Sequence, residues 1–125
     1  KTYQAAKHLM QHREGTTRVV FTRNIDKFAH EGIPGILEFT KDLPEKVVIK
    51  FEKKGYKQAL LLGGGQINSL FLEKSLVQEI HITLEPYIFG TGTKIFSGQK
   101  DAKLLLLSSK LLNKRGTLLL KYQVS

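Results

Sequence analysis

Three leucines run directly into three glycines, Leu60-Leu61-Leu62-Gly63-Gly64-Gly65, and Gln66-Ile67-Asn68 follows. A short apolar run closed by glycine reads as a buried strand over residues 58–62. The glycines allow a sharp reversal and let another group approach the backbone closely. Ile67, Leu70 and Phe71 then recur at helical spacing, so a helix starts at once. A strand that feeds a helix through so tight a turn commits the chain to an α/β arrangement. The unpaired N–H groups at such a helix start attract anions, helped by the helix dipole. The spacing is neither the dinucleotide fingerprint nor a Walker A loop. A tight turn that binds nothing would use the same residues.

The remaining chain fits alternating elements. Tyr3, Ala6, Leu9 and Met10 predict a helix over residues 2–13, ended by Gly15. Residues 18–22 form a β-branched and aromatic run, and 36–40 a second strand after the turn Gly32-Ile33-Pro34-Gly35. Asp42 is the expected N-cap of a helix with Pro44 in its first turn. Leu43, Val47, Val48 and Phe51 make its apolar face, and Gly55 stops it. Residues 79–85 alternate, with Ile80, Ile82 and Leu84 on one side and His81, Thr83 and Glu85 on the other. Residues 102–112 and 117–124 predict a hairpin about Asn113-Lys114-Arg115-Gly116. This order implies a three-layer α/β domain: a mostly parallel central sheet, helices on both faces and a C-terminal antiparallel β-hairpin. The 125 residues suit one domain.

Composition narrows the chemistry. With no cysteine, thiolate zinc sites and cysteine nucleophiles are excluded. No apolar stretch is long enough to span a bilayer, so no membrane partner is expected. The net charge of +9 favours anionic partners. The lysines are scattered, however, and Phe21, Phe39, Phe51 and Phe71 sit at core-like positions. A basic nucleic-acid-binding module, which interleaves exposed aromatic and basic residues, is the alternative from another class, and nucleic acid is not the expected partner. His8 and His12 stand four apart on a helix without a third ligand, so no metal is expected. No serine triad or nucleophile elbow is visible.

Two further segments could meet a ligand. Val19-Val20-Phe21-Thr22-Arg23-Asn24 ends a strand in a hydroxyl, a guanidinium and an amide. Ligands of open α/β sheets sit at the carboxyl ends of strands, and arginine can grip a phosphate monoester. A solvated loop would read the same. Thr83 and Glu85, on the polar side of their strand, could line a pocket or face water.

From Leu62 through Phe96 the chain closely resembles the C-terminal reductase domain of bifunctional riboflavin-biosynthesis deaminase-reductases, within the dihydrofolate-reductase-like superfamily. The shared features are the glycine turn, the asparagine after it, Leu76-Val77-Gln78-Glu79-Ile80, the strand ended by Pro86, the loop Phe89-Gly90-Thr91-Gly92 and Phe96. Lys1-Thr2-Tyr3 is similar to the end of a family Gly-Arg-x-Thr segment, and residues 20–24 resemble the next family strand. The resemblance implies NADPH as cofactor. It places Gly63, Gly64, Gly65, Gln66 and Ile67 at the pyrophosphate, with Thr2 near the cofactor phosphates. Thr22, Arg23 and Asn24 fall beside the adenosine 2′-phosphate, and Thr83 and Glu85 near nicotinamide and substrate. The implied reaction is hydride transfer to a ribosylamino-pyrimidine phosphate, with dihydrofolate reduction as the alternative. No catalytic residue is identified. A cytoplasmic homodimer acting on a small-molecule substrate is expected. The family's first strand and active-site loop would precede Lys1, so the expectation is a single reductase domain over residues 1–125 that lacks them.

Overall fold

The computed structural model describes all of residues 1–125. Helix α1 (Thr2–Ala6) passes into a 3-10 turn, Lys7–Leu9. Strands β1 (Arg18–Phe21) and β2 (Leu37–Thr40) follow, then helices α2 (Pro44–Lys53) and α3 (Gly65–Glu73). Strands β3 (Glu79–Leu84), β4 (Leu104–Leu111) and β5 (Leu118–Val124) complete the chain.

Residues 2–13 are thus a helix only at their start. Leu9 is 75% exposed, and the residues after it bury no apolar face. A short helix takes most of its stability from tertiary packing, so it ends where packing ends. What fixes α1 is Tyr3. Its ring meets Phe28 and Phe39 edge-on at 5.9 and 5.3 Å, and its hydroxyl donates to Glu31. Burial, aided by the Glu31 carboxylate, pushes the Tyr3 phenol up to about 12. In α2, Leu43 rather than Asp42 occupies the N-cap position and Pro44 is the first helical residue. Pro44 and Val47 are buried, and Gly55 ends the helix region at φ +93°.

The strands form two sheets instead of one. β1 and β2 pair in parallel, with Val20 opposite Phe39. β3, β5 and β4 form an antiparallel sheet in the order β3-β5-β4, so the C-terminal hairpin is present as expected. Its turn is built by Asn113, whose Oδ1 accepts the N–H groups of Arg115 and Thr117.

Residues 58–62 correct the sequence reading. They are extended but pair with no strand, and no backbone hydrogen bond reaches them from either side. Leu60 and Leu62 are 75% and 79% exposed. Strand character depends on a neighbour to pair with, and here neither edge has one. The expected mostly parallel sheet is therefore absent, and β1 and β3 are each left as edge strands. All eight residues of β4 are exposed as well. The accessible surface is 10218 Å², against about 6,700 Å² for a closed monomer of this mass. Buried apolar residues are few, Val47, Phe71 and Leu72 with Pro44, and they sit on α2 and α3. α3 is therefore the element about which the packed part of the molecule is organised.

The glycine turn and its surroundings

Gly63 has φ +100°, a conformation that favours glycine, and the Gly63–Gly64 peptide is cis. The turn opens α3 with Gly64 as N-cap, and no side chain caps the helix. Asn68 N–H donates back to Gly64 O at 3.0 Å, while the N–H groups of Gly65, Gln66 and Ile67 have no acceptor within the protein. Three free donors at the positive end of a helix dipole form an anion-binding arrangement.

The three glycines have different neighbours. A Cβ on Gly64 would lie 2.7 Å from Thr2 Oγ1. Thr2 is brought there by α1, which Tyr3 anchors to Phe39 of β2. The structure therefore brings the Thr2 hydroxyl against the glycine turn at Gly64. A Cβ on Gly65 would lie 2.6 Å from Ser97 Oγ and 2.7 Å from Lys94 O. The close approach at Gly65 comes from the protein's own chain. Gly63 lies under Asn68, whose Nδ2 would be 3.5 Å from its Cβ.

Thr22, Arg23 and Asn24 form a compact turn at the end of β1. Asn24 N–H donates to Thr22 Oγ1 at 3.2 Å, and Lys27 N–H to Asn24 Oδ1 at 3.2 Å. Thr22 N–H donates to Thr40 O at 2.9 Å, which fixes the turn to β2. Phe21 packs edge-on against Phe71 of α3 at 5.5 Å, so the strand end is held against the helix that carries the glycine turn. The Arg23 side chain is exposed and makes no ion pair or hydrogen bond with the protein. A guanidinium so placed is available to an anionic ligand.

Thr83 and Glu85 belong to a different neighbourhood. Thr83 is exposed on β3 opposite Leu119. Glu85 Oε2 accepts the hydroxyl of buried Thr117 at 2.8 Å, and Asn113 Nδ2 donates to that same hydroxyl oxygen at 2.8 Å. Glu85 thus holds the hairpin turn, and none of its hydrogen bonds leads to the glycine turn. It also lines an open depression of about 690 Å³ with Leu84, Pro86, Tyr87, Ile88 and Gly116.

Sequence reasoning missed Ser69. It is 6% exposed in the middle of α3, and its Oγ accepts the N–H groups of Ser97 and Gly98, each at 2.7 Å. The only sequence signal was a small polar residue on the otherwise apolar side of a helix, which is common without meaning.

The family model of the RibD C-terminal domain matches residues 1–118. Comparison with curated proteins gives no match. Among solved structures, a Shewanella sp. PV-4 protein assigned to riboflavin biosynthesis superposes with TM-score 0.77 at 16% identity, over 99% of this chain and 70% of that one. RibD of Acinetobacter baumannii gives TM-score 0.62 at 17% identity, over 86% and 31%. A pyrimidine reductase-like protein of Corynebacterium diphtheriae gives 0.62 at 19% identity, over 86% and 50%. The chain thus spans half or less of the last two, and at these identities the likeness is one of fold. Since the family model covers the chain up to the first residue of the last strand, the chain belongs to the RibD C-terminal domain family.

Proposed function

We propose that this chain is an NADPH-dependent reductase that delivers hydride to a ribosylamino-pyrimidine phosphate in riboflavin biosynthesis. Family membership supports the reaction class. The observation that carries the cofactor assignment is the start of α3, where three free N–H groups and the Thr2 hydroxyl meet at a glycine turn. These groups fit a pyrophosphate, which needs donors and tolerates no side chain between it and the backbone. Arg23 would face the adenosine 2′-phosphate, and Thr22 and Asn24 preset the turn that presents it. NADPH, when bound, supplies the hydride. The protein supplies binding, orientation and electrostatics. Glu85 and Thr83 would lie on the substrate side, with the depression between Leu84 and Gly116 receiving the flat ring. In this reading the β1–β2 pair and the β3-β5-β4 sheet belong to one three-layer domain. The enzyme works in the cytoplasm as a homodimer, and the contact is β4, an edge strand with Leu104, Leu105, Leu106 and Leu107 all exposed.

The test follows NADPH absorbance with each substrate in turn. Oxidation with the ribosylamino-pyrimidine phosphate and none with dihydrofolate is the expected result. Turnover of dihydrofolate alone would overturn the substrate assignment and leave the cofactor site standing. Arg23→Ala should weaken NADPH about ten- to a hundredfold and barely change NADH, as expected for one lost charge-assisted contact. Equal losses for both cofactors would remove Arg23 from the 2′-phosphate. Sedimentation at micromolar concentration should show a dimer that Leu105→Lys converts to monomer.

A further inference from the structure

Residues 94–100 have no regular secondary structure, yet they run along α3 from its first turn to its last. At the glycine turn, Ser97 N–H donates to Gly65 O at 3.2 Å as well as to Ser69 Oγ, and Asn68 Nδ2 donates to Ile95 O at 2.8 Å. Gly98 follows, so close to the helix that a Cβ there would lie 2.6 Å from Glu73 Oε1. At the far end, Lys100 Nζ donates to Leu72 O, Glu73 O and Ser75 Oγ at 3.0 to 3.2 Å, closing the helix C-terminus. One strap therefore has two sets of ties. Those from Asn68 and Ser69 lie at the turn that presents free N–H groups, and those from Lys100 lie at the opposite end of the helix.

We propose that Asn68 and Ser69 are positioning residues: by holding the strap against Gly65 they set where the glycine turn presents its donors, and so set the affinity for an anionic cofactor. This rests on the cofactor reading above. The three atoms nearest to a Cβ on Gly65 all belong to the strap. Ser97 Oγ and Lys94 O stand where a Cβ would be, and a turn rich in glycine has many conformations to choose from until something packs on it. Asn68 contributes twice, because its amide also covers Gly63, the residue with φ +100°. Pre-organised donors bind more tightly than donors that must first be ordered.

The test compares the two ends of the strap. NADPH affinity is measured by calorimetry for Asn68→Ala, Ser69→Ala and Lys100→Ala, alongside 2′-AMP, which has no pyrophosphate and reports the Arg23 turn alone. Asn68→Ala and Ser69→Ala should each weaken NADPH about tenfold, the scale of one lost hydrogen bond, with 2′-AMP unchanged. Lys100→Ala should lower the unfolding temperature and leave NADPH affinity within about twofold. If Ser69→Ala does not fold, Ser69→Cys, which fills the site with a much weaker acceptor, serves in its place. Unchanged NADPH affinity in both proximal variants would overturn the proposal. So would a loss in Lys100→Ala equal to theirs, or an equal loss of 2′-AMP, since each would mark general destabilisation. Failure of the wild-type protein to bind NADPH, with 2′-AMP also unbound, would instead strike the cofactor reading itself.

Discussion

The two sides of the glycine turn are built in opposite ways. Downstream, α3 and its strap satisfy one another: Asn68, Ser69 and Lys100 tie seven residues of irregular chain to one helix. Upstream, residues 58–62 form an apolar run that reads as a strand, yet they have no strand beside them. The difference shows what each kind of order requires. The helix and strap are specified by side chains that reach a nearby backbone, and they close without further partners. The leucine run is specified only by hydrophobicity, which stabilises nothing until another apolar surface covers it.

Hydrogen exchange should give the largest contrast. The amides of Leu60, Leu61 and Leu62 should exchange within about tenfold of an unstructured chain, and those of Ser97 and Gly98 at least about a hundredfold more slowly. Strong protection at Leu61 would break the comparison, because a strand would then pair with this segment.

Glycine substitutions sharpen it. Gly65→Ala places a Cβ against Lys94 O and Ser97 Oγ, so the strap must move, at a cost of about 1–3 kcal/mol. Gly92→Ala, in the same connection but with nothing within 4 Å, should be close to neutral. Equal effects in thermal unfolding would mean that the strap is not held as described.

Much of this was legible beforehand. The parallel pair, α2, α3 and the hairpin follow from periodicity and turn residues, because each buries one face or closes on a local turn. The glycine turn was legible because three glycines stand between leucines and a helix, while Thr2 was pointed to only by the family resemblance. The gap at residues 58–62 was not, since pairing is a property of neighbours and not of Leu60–Leu62 themselves. Ser69 was hidden for a related reason: its two partners arrive from 28 and 29 residues away. The hydrogen bond from Thr117 to Glu85 was hidden in the same way, since its partners stand 32 residues apart.

A smaller effect should come from the paired β1–β2 unit. Lys50 donates to Glu38 at 3.0 Å, and this bond, with the N–H of Gly35, holds the Glu38 carboxyl below its usual range. A lowered folded-state value contributes stability above the unfolded pKa, near 4.5, that is lost as pH falls through the folded value. The pair is partly exposed, so the loss should stay under about 1 kcal/mol. Lys50→Met should reduce this acid dependence in unfolding at pH 6 and pH 3, and an unchanged profile would remove the pair from the account.

The central claim is that the glycine turn receives the cofactor pyrophosphate. Calorimetric titration of NADPH into wild-type protein and Gly64→Val tests it most directly, because a side chain there meets Thr2 Oγ1 at the turn that opens α3. The account predicts measurable binding by the wild type and a loss of more than about a hundredfold in a variant whose far-ultraviolet circular dichroism is unchanged. Equal NADPH affinity in the two proteins would contradict it.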